Sequence, residues 1–166
     1  MRIPLIALAV TVLAAGPASA QSHDPFQSDL SANYDFVYHE LDETSAAGAH
    51  FDLATTITRS VPFLVMLGEA GFNHFDSATI SSVMGGVRLR FPNASATVLP
   101  FAQVLLGLYH CCGVNDFAIQ PGGGVDFKVS PNFRIRAQID LRHVFDDFGD
   151  FNAVRASAGI VLPLNR

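Results

Sequence analysis

Seven basic residues of this chain share one phase of a two-residue alternation: Arg88, Arg90, Lys128, Arg134, Arg136, Arg142 and Arg155. The opposite phase of every alternating segment carries no charge. Successive side chains of a strand point to opposite faces, so each such segment is a strip with one oily and one charged side. The uncharged phase runs over Leu30–Tyr38, Phe51–Ile57, Leu64–Phe72, Val83–Phe91, Ala102–Leu108, Ile119–Val129, Ile135–Leu141 and Val154–Leu162, which predicts eight strands. The charged phase also holds Asp35, Asp52, Glu69, Asp126 and Asp140. A soluble sandwich would turn the charges to water, whereas a membrane barrel would turn them inward and give the oily phase to lipid.

Other features bear on that choice. Residues 1–20 have the plan of a secretory leader: Arg2, an apolar run from Ile3 to Ala15, then Ala18, Ser19, Ala20 as a cleavage site. The run is shorter than the roughly 20 residues a spanning helix needs. The expected organisation is a leader over 1–20, an N-terminal extension over 21–28 and one β domain over 29–166. Eight strands of about 9 to 11 residues, the length that crosses a bilayer, fit that domain. The chain is 49% hydrophobic, and after the leader this apolarity is dispersed by alternation rather than gathered into a helix.

The connections fall into two alternating classes. Ser60–Val61–Pro62, the stretch from Phe91 through Pro92 and Asn93 to Val98, and Ser130–Pro131–Asn132 read as turns at one end. The segments Glu40–Ala49, Asn73–Thr79, Cys111–Asp116 and Asp146–Asp150 are polar, acidic and free of Lys and Arg, and belong to the other end. Eight of the fifteen acids lie in these segments, and Asp24 and Asp29 precede the first predicted strand. Nothing charged is left for the oily face, where Arg or Lys at the membrane midplane would cost about 2 to 4 kcal/mol. The expected fold is therefore an all-β, eight-stranded antiparallel up-and-down transmembrane barrel, with the acidic loops outside the cell.

The stretches Gln120-Pro-Gly-Gly-Gly-Val-Asp-Phe-Lys128 and Arg136-Ala-Gln-Ile-Asp-Leu-Arg142 resemble the small bacterial outer-membrane β-barrel family, the OmpA/OmpX-like eight-stranded group. Phe101–Gly107 and Met84–Arg88 match its middle strands in the same way. The resemblance covers most of residues 29–164 and implies an outer-membrane location in a Gram-negative-type bacterium. It implies outer-membrane lipid and the barrel-insertion machinery as partners, and says almost nothing of activity. Family chains usually close on an aromatic residue, whereas this sequence closes Leu162, Pro163, Leu164, Asn165, Arg166.

Several constellations could carry chemistry. The interior of an eight-stranded barrel is only wide enough for side chains to fill. Glu69, Asp126 and Asp140 would thus meet Arg88, Arg90, Lys128, Arg136, Arg142 and Arg155 in a plugging network, with a narrow ion path as the alternative. His39, His50, His74, His110 and His143 fall near the acidic end, where with Asp42, Glu43, Asp76, Asp146 and Asp147 they would form a solvated rim; they are weak metal candidates, because no close ligand spacing joins them. Adjacent Cys111 and Cys112 in an exported chain suggest a vicinal disulfide. An intermolecular bridge, or a soft-metal site with His110, are the other readings. Gly122, Gly123 and Gly124 lack the strand-to-helix context of a phosphate loop. They read as space for interior side chains, and Pro121 beside them predicts a bulge or a strand start. No cofactor is implied, and nothing points to nucleic acid.

Three functions follow from these features. The first is a non-enzymatic, plugged outer-membrane barrel whose acidic loops meet an extracellular partner in surface interaction, adhesion or envelope integrity. The second is a soluble exported lipocalin-like barrel with inverted phases, binding an apolar ligand. The third is a lipid-modifying membrane enzyme, for which His74, Asp76 and Ser77 are the nearest group. Strands three and five carry Val65, Leu67, Phe101 and Leu105 on the charged phase and are apolar on both sides, so alternation alone does not orient them.

Overall fold

The computed structural model describes residues 28–40, 44–58, 60–75, 78–91, 97–146 and 149–164. The leader, Asp24, Asp42, Glu43, Arg59, Asp76, Ser77, Pro92, Asn93, Asp147 and Arg166 lie outside the described residues. Eight strands run in chain order: β1 (Ser28–His39), β2 (Ser45–Thr56), β3 (Leu64–His74), β4 (Thr79–Arg90), β5 (Val98–Cys111), β6 (Val114–Ser130), β7 (Phe133–Phe145) and β8 (Phe151–Pro163). Each pairs antiparallel with its neighbours, and β1 meets β8 to close the barrel. Closure removes both sheet edges, so every strand has a hydrogen-bonding neighbour on each side.

The two phases separate completely in space. The oily phase faces out: Tyr34 is 65% exposed, Val83 66% and Ile139 59%. The charged phase faces in, where Arg88, Arg136, Asp35 and Asp140 are all 0% exposed. A soluble lipocalin-like barrel would need the reverse, so that expectation is overturned. Val65, Leu67, Phe101 and Leu105 also face inward. Val65, Leu67 and Leu105 pack with Ile80, Met84, Tyr109, Ala118 and Val144 into an apolar cluster that fills part of the bore.

Four expectations about boundaries need correction. The predicted loop Glu40–Ala49 is shorter, because Ser45–Ala49 already pairs with β1, from Tyr38↔Ser45 to Tyr34↔Ala49. Cys111–Asp116 is not a loop but a two-residue hairpin: Cys112 (φ 56°) and Gly113 (φ 86°) both adopt positive φ, as the tightest hairpin turns require. Pro121 neither starts a strand nor makes a bulge. β6 and β7 pair as Ile119↔His143 and Gly122↔Asp140 in unchanged register on either side of it, and the irregularity lies instead between Lys128 and Ser130. Asp29 does not precede the first strand; it lies within β1 and is 1% exposed, facing inward.

Candidate functional site in the barrel interior

The interior side chains stack in levels along the barrel axis. Nearest the proline turns, Asp29 of β1 accepts hydrogen bonds from Arg90 of β4 and from Arg134 of β7, the latter at 3.4 Å. Lys128 of β6 is half-buried and pairs across the ladder with Arg134.

At the next level, cross-strand register and cross-bore reach act together. Asp126 and Arg136 are directly opposite on β6 and β7. The Arg136 fork grips both carboxylate oxygens, at 2.7 and 2.9 Å. Its remaining nitrogen crosses to β2 and donates to Asp52 Oδ2 at 2.6 Å. Arg88 donates to the same oxygen at 3.2 Å and to Gln103 Oε1 through Nε (2.9 Å) and Nη2 (2.7 Å). The Phe101 ring lies against both cations, 4.5 Å from the Arg88 guanidinium carbon and 4.8 Å from that of Arg136. Stacking of this kind keeps a desolvated guanidinium in favourable contact where water is excluded.

Further from the proline turns, Asp140 and Arg155 are opposite on β7 and β8. Arg155 donates to Asp140 Oδ2 through Nε at 3.0 Å and Nη2 at 2.8 Å, and its fork also holds Glu69 on β3 with two bonds of 2.7 Å. Arg142 donates to Gln120 at 2.7 Å and lies over the Tyr109 ring. Gly122 makes this packing possible, because a Cβ there would collide with the Asp140 carboxylate and the Ile139 carbonyl. Above the Asp29 group, five carboxylates (Asp35, Asp52, Glu69, Asp126, Asp140) face four guanidiniums (Arg88, Arg136, Arg142, Arg155), all of them buried.

The acidic end closes on an aromatic and apolar cap. His39 meets Phe75 edge-on at 4.9 Å and stacks on Phe151 at 5.6 Å, and Tyr109 meets Phe151 at 5.8 Å. His39 and His50 are thus not rim residues; both belong to the inward phase and are 7% and 0% exposed. His50 Nδ1 lies 2.7 Å from Asp35 Oδ1. His74 and His110 are exposed and His143 half-buried. They bond to Thr79, Asn115 and Asn152, so the structure does not converge them on one point. Cys111 and Cys112 are free thiols with their sulfurs 2.8 Å apart at the β5–β6 turn, unbonded in this structure.

Sequence reasoning treated Asp35 and Asp52 only as charged-phase residues, and it passed over Gln103, Gln120 and Ser31. The signal was present, since these uncharged polar residues share the charged phase and supply what the guanidiniums need beyond carboxylates. Asp52 alone accepts from Ser31, Arg88 and Arg136.

An oily outer wall around a hydrogen-bonded charged interior, on eight meandering strands, is the architecture of a small transmembrane β-barrel. Among solved structures, the fold is similar to that of the Neisserial surface protein A (TM-score 0.67, 14% identity, 84% of this chain and 97% of that one). It is also similar to the N-terminal β-barrel domain of Pseudomonas aeruginosa OprF (0.58, 11%, 84% and 99%) and to Yersinia pestis Ail, the attachment invasion locus protein (0.57, 14%, 84% and 99%). The chain therefore has the fold of the small eight-stranded outer-membrane barrels. No protein-family model and no curated protein sequence matches it.

Proposed function

We propose that this chain is an exported, non-enzymatic outer-membrane barrel with a plugged bore, whose work is done at its acidic end. The carrying observation is the filling of the interior: Arg88, Arg136, Arg155, Leu105, His50 and Gln120 are fully buried across the bore. A solute would have to displace bidentate ion pairs that have already given up their water, and breaking one such buried pair costs about 3 to 5 kcal/mol. One hollow, of about 330 Å³, is lined largely by outward-facing wall residues, among them Leu30, Phe51, Leu53 and Val83.

The acidic end supports a particular kind of partner. Its connections carry Glu40, Asp42, Glu43, Asp76, Asp146, Asp147 and Asp150 and neither Lys nor Arg. The Ail structure was solved with the heparin analogue sucrose octasulfate. A polyanion of that kind would be repelled here, and a cationic surface or basic protein segment is the complementary partner. Of the residues named for the lipid-modifying reading, His74 alone lies among the described residues, with Nδ1 3.2 Å from Thr79 Oγ1.

Single-channel recording in planar bilayers, with barrels verified by their heat-shifted gel mobility, tests the plug. Electrically silent membranes are expected; frequent stable openings would refute it. Proteoliposomes bearing the barrel should retain a labelled polylysine peptide and not heparin, and the opposite preference would reject the acidic-end assignment.

A further inference from the structure

His50 and Asp52 stand two apart on β2, so both side chains enter the bore on one face. Glu69 is directly opposite Asp52 on β3. His50 Nε2 is 4.0 Å from Asp52 Oδ1 and 3.9 Å from Glu69 Oε2, and one ligand atom from each of the three residues lies within 4.8 Å of the other two. All three residues are at most 3% exposed.

The hydrogen bonding around this group is lopsided. Asp52 spends Oδ2 on Ser31, Arg136 and Arg88, and Glu69 Oε2 accepts one bond, from Arg155 Nη2 at 2.7 Å, while Asp52 Oδ1 and His50 Nε2 have no hydrogen-bond partner among the described residues. Buried polar atoms without partners are costly, so two of them facing one point mark a place for a ligand. The other imidazole nitrogen is held by Asp35 Oδ1 at 2.7 Å. An ionised carboxylate only accepts, so Nδ1 carries the hydrogen, and in the neutral imidazole Nε2 then presents its lone pair inward. A carboxylate behind a histidine in this way orients a metal ligand and raises its basicity. Above the Asp29 group the interior holds five carboxylates against four guanidiniums, so that part of the bore has room for one more positive charge.

We propose that His50 Nε2, Asp52 Oδ1 and Glu69 Oε2 bind a divalent transition-metal ion such as Zn²⁺ inside the barrel, with Asp35 orienting His50. One imidazole nitrogen and two carboxylate oxygens suit Zn²⁺ or a neighbouring first-row ion. Metal–ligand bonds of about 2.0 to 2.2 Å place tetrahedral ligand atoms about 3.3 to 3.6 Å apart, so the two His50 separations of 4.0 and 3.9 Å must close by about half an ångström, and the Asp52–Glu69 separation, within 4.8 Å, by up to about 1.4 Å. The cap at His39, Phe75 and Phe151 covers the site, so an ion enters during assembly or by opening of that cap.

The full chain, expressed with its own leader and carrying C111S and C112S, would be extracted from membranes in mild detergent. It would be refolded from denaturant with chelator, Zn²⁺ or Co²⁺, and desalted. One metal per barrel and a cobalt absorption band in the visible are expected. H50Q should lose both. D35N should fold and weaken binding about 10- to 100-fold, and it decides the matter if H50Q fails to give a heat-shifted band. Folded barrel that retains no metal, or metal retained undiminished in H50Q or D35N, would overturn the site; the latter result would place the ion on the rim histidines His74, His110 or His143.

Discussion

Replacing Arg155 by Met isolates what the interior network contributes. Arg155 makes four hydrogen bonds of 3.0 Å or less, two to Glu69 and two to Asp140. Asp140 would keep Gln103 and Gln138. Glu69 would keep Gln120 at 3.5 Å, a distant Arg142 at 3.8 Å and His50 Nε2 at 3.9 Å. Hydrogen bonds to charged groups are worth about 1.5 to 3 kcal/mol each but do not add within one network. The relevant bound is the loss of one partner from a buried pair, about 3 to 5 kcal/mol. Because Asp140 retains other donors, the penalty concentrates on Glu69, and R155M should lose about 4 kcal/mol. R155M/E69Q, which removes the stranded charge, should recover about half of that. The chain has no Trp, so urea unfolding is best followed by far-UV circular dichroism and by the heat-sensitive gel band. A loss under about 1 kcal/mol in R155M, or a double variant no more stable than the sum of the singles, would refute the argument that the ion pair is a dry, coupled unit.

Three other outcomes follow. I139R places a charge at the middle of β7 on the outward face, where Ile139 is 59% exposed. It should cost about 2 to 4 kcal/mol in vesicle refolding titrations, and an unchanged midpoint would mean that this face does not meet lipid. G122A drives a methyl into Asp140 and should cost about 1 to 3 kcal/mol of stability, read as a lower unfolding midpoint. G68A, whose Cβ would meet nothing within 4 Å, should leave that midpoint nearly unchanged. If the acidic end is external, a membrane-impermeant maleimide should label exposed Cys112 on intact cells after mild reduction; labelling only after lysis would reverse the barrel's orientation.

The number of strands and their phases were legible in the sequence because strand alternation is a local property, whereas the inward direction of the charges rested on the charge-free oily face and the base-free loops. A period of two needs no knowledge of the neighbouring strand. Even the His50-x-Asp52 spacing could be read once both were placed on one strand. It was missed because His50 was assigned to the solvated rim, just past a predicted loop whose boundary moved only when Ser45–Ala49 found hydrogen-bonding partners on β1.

Register and closure decided the rest. Which guanidinium meets which carboxylate depends on strands far apart in the chain: Arg136 reaches Asp52 and Arg155 reaches Glu69 only because the barrel brings β7 and β8 across from β2 and β3. Val65 on β3 and Leu105 on β5 lie on strands that are apolar on both faces, so only the completed core gives them a side. Pro121 lacks an N–H whatever its surroundings, yet the register continues past it because the flanking pairs hold. Alternation along one strand is set by its own backbone geometry, whereas contacts across the bore exist only after the eighth strand meets the first.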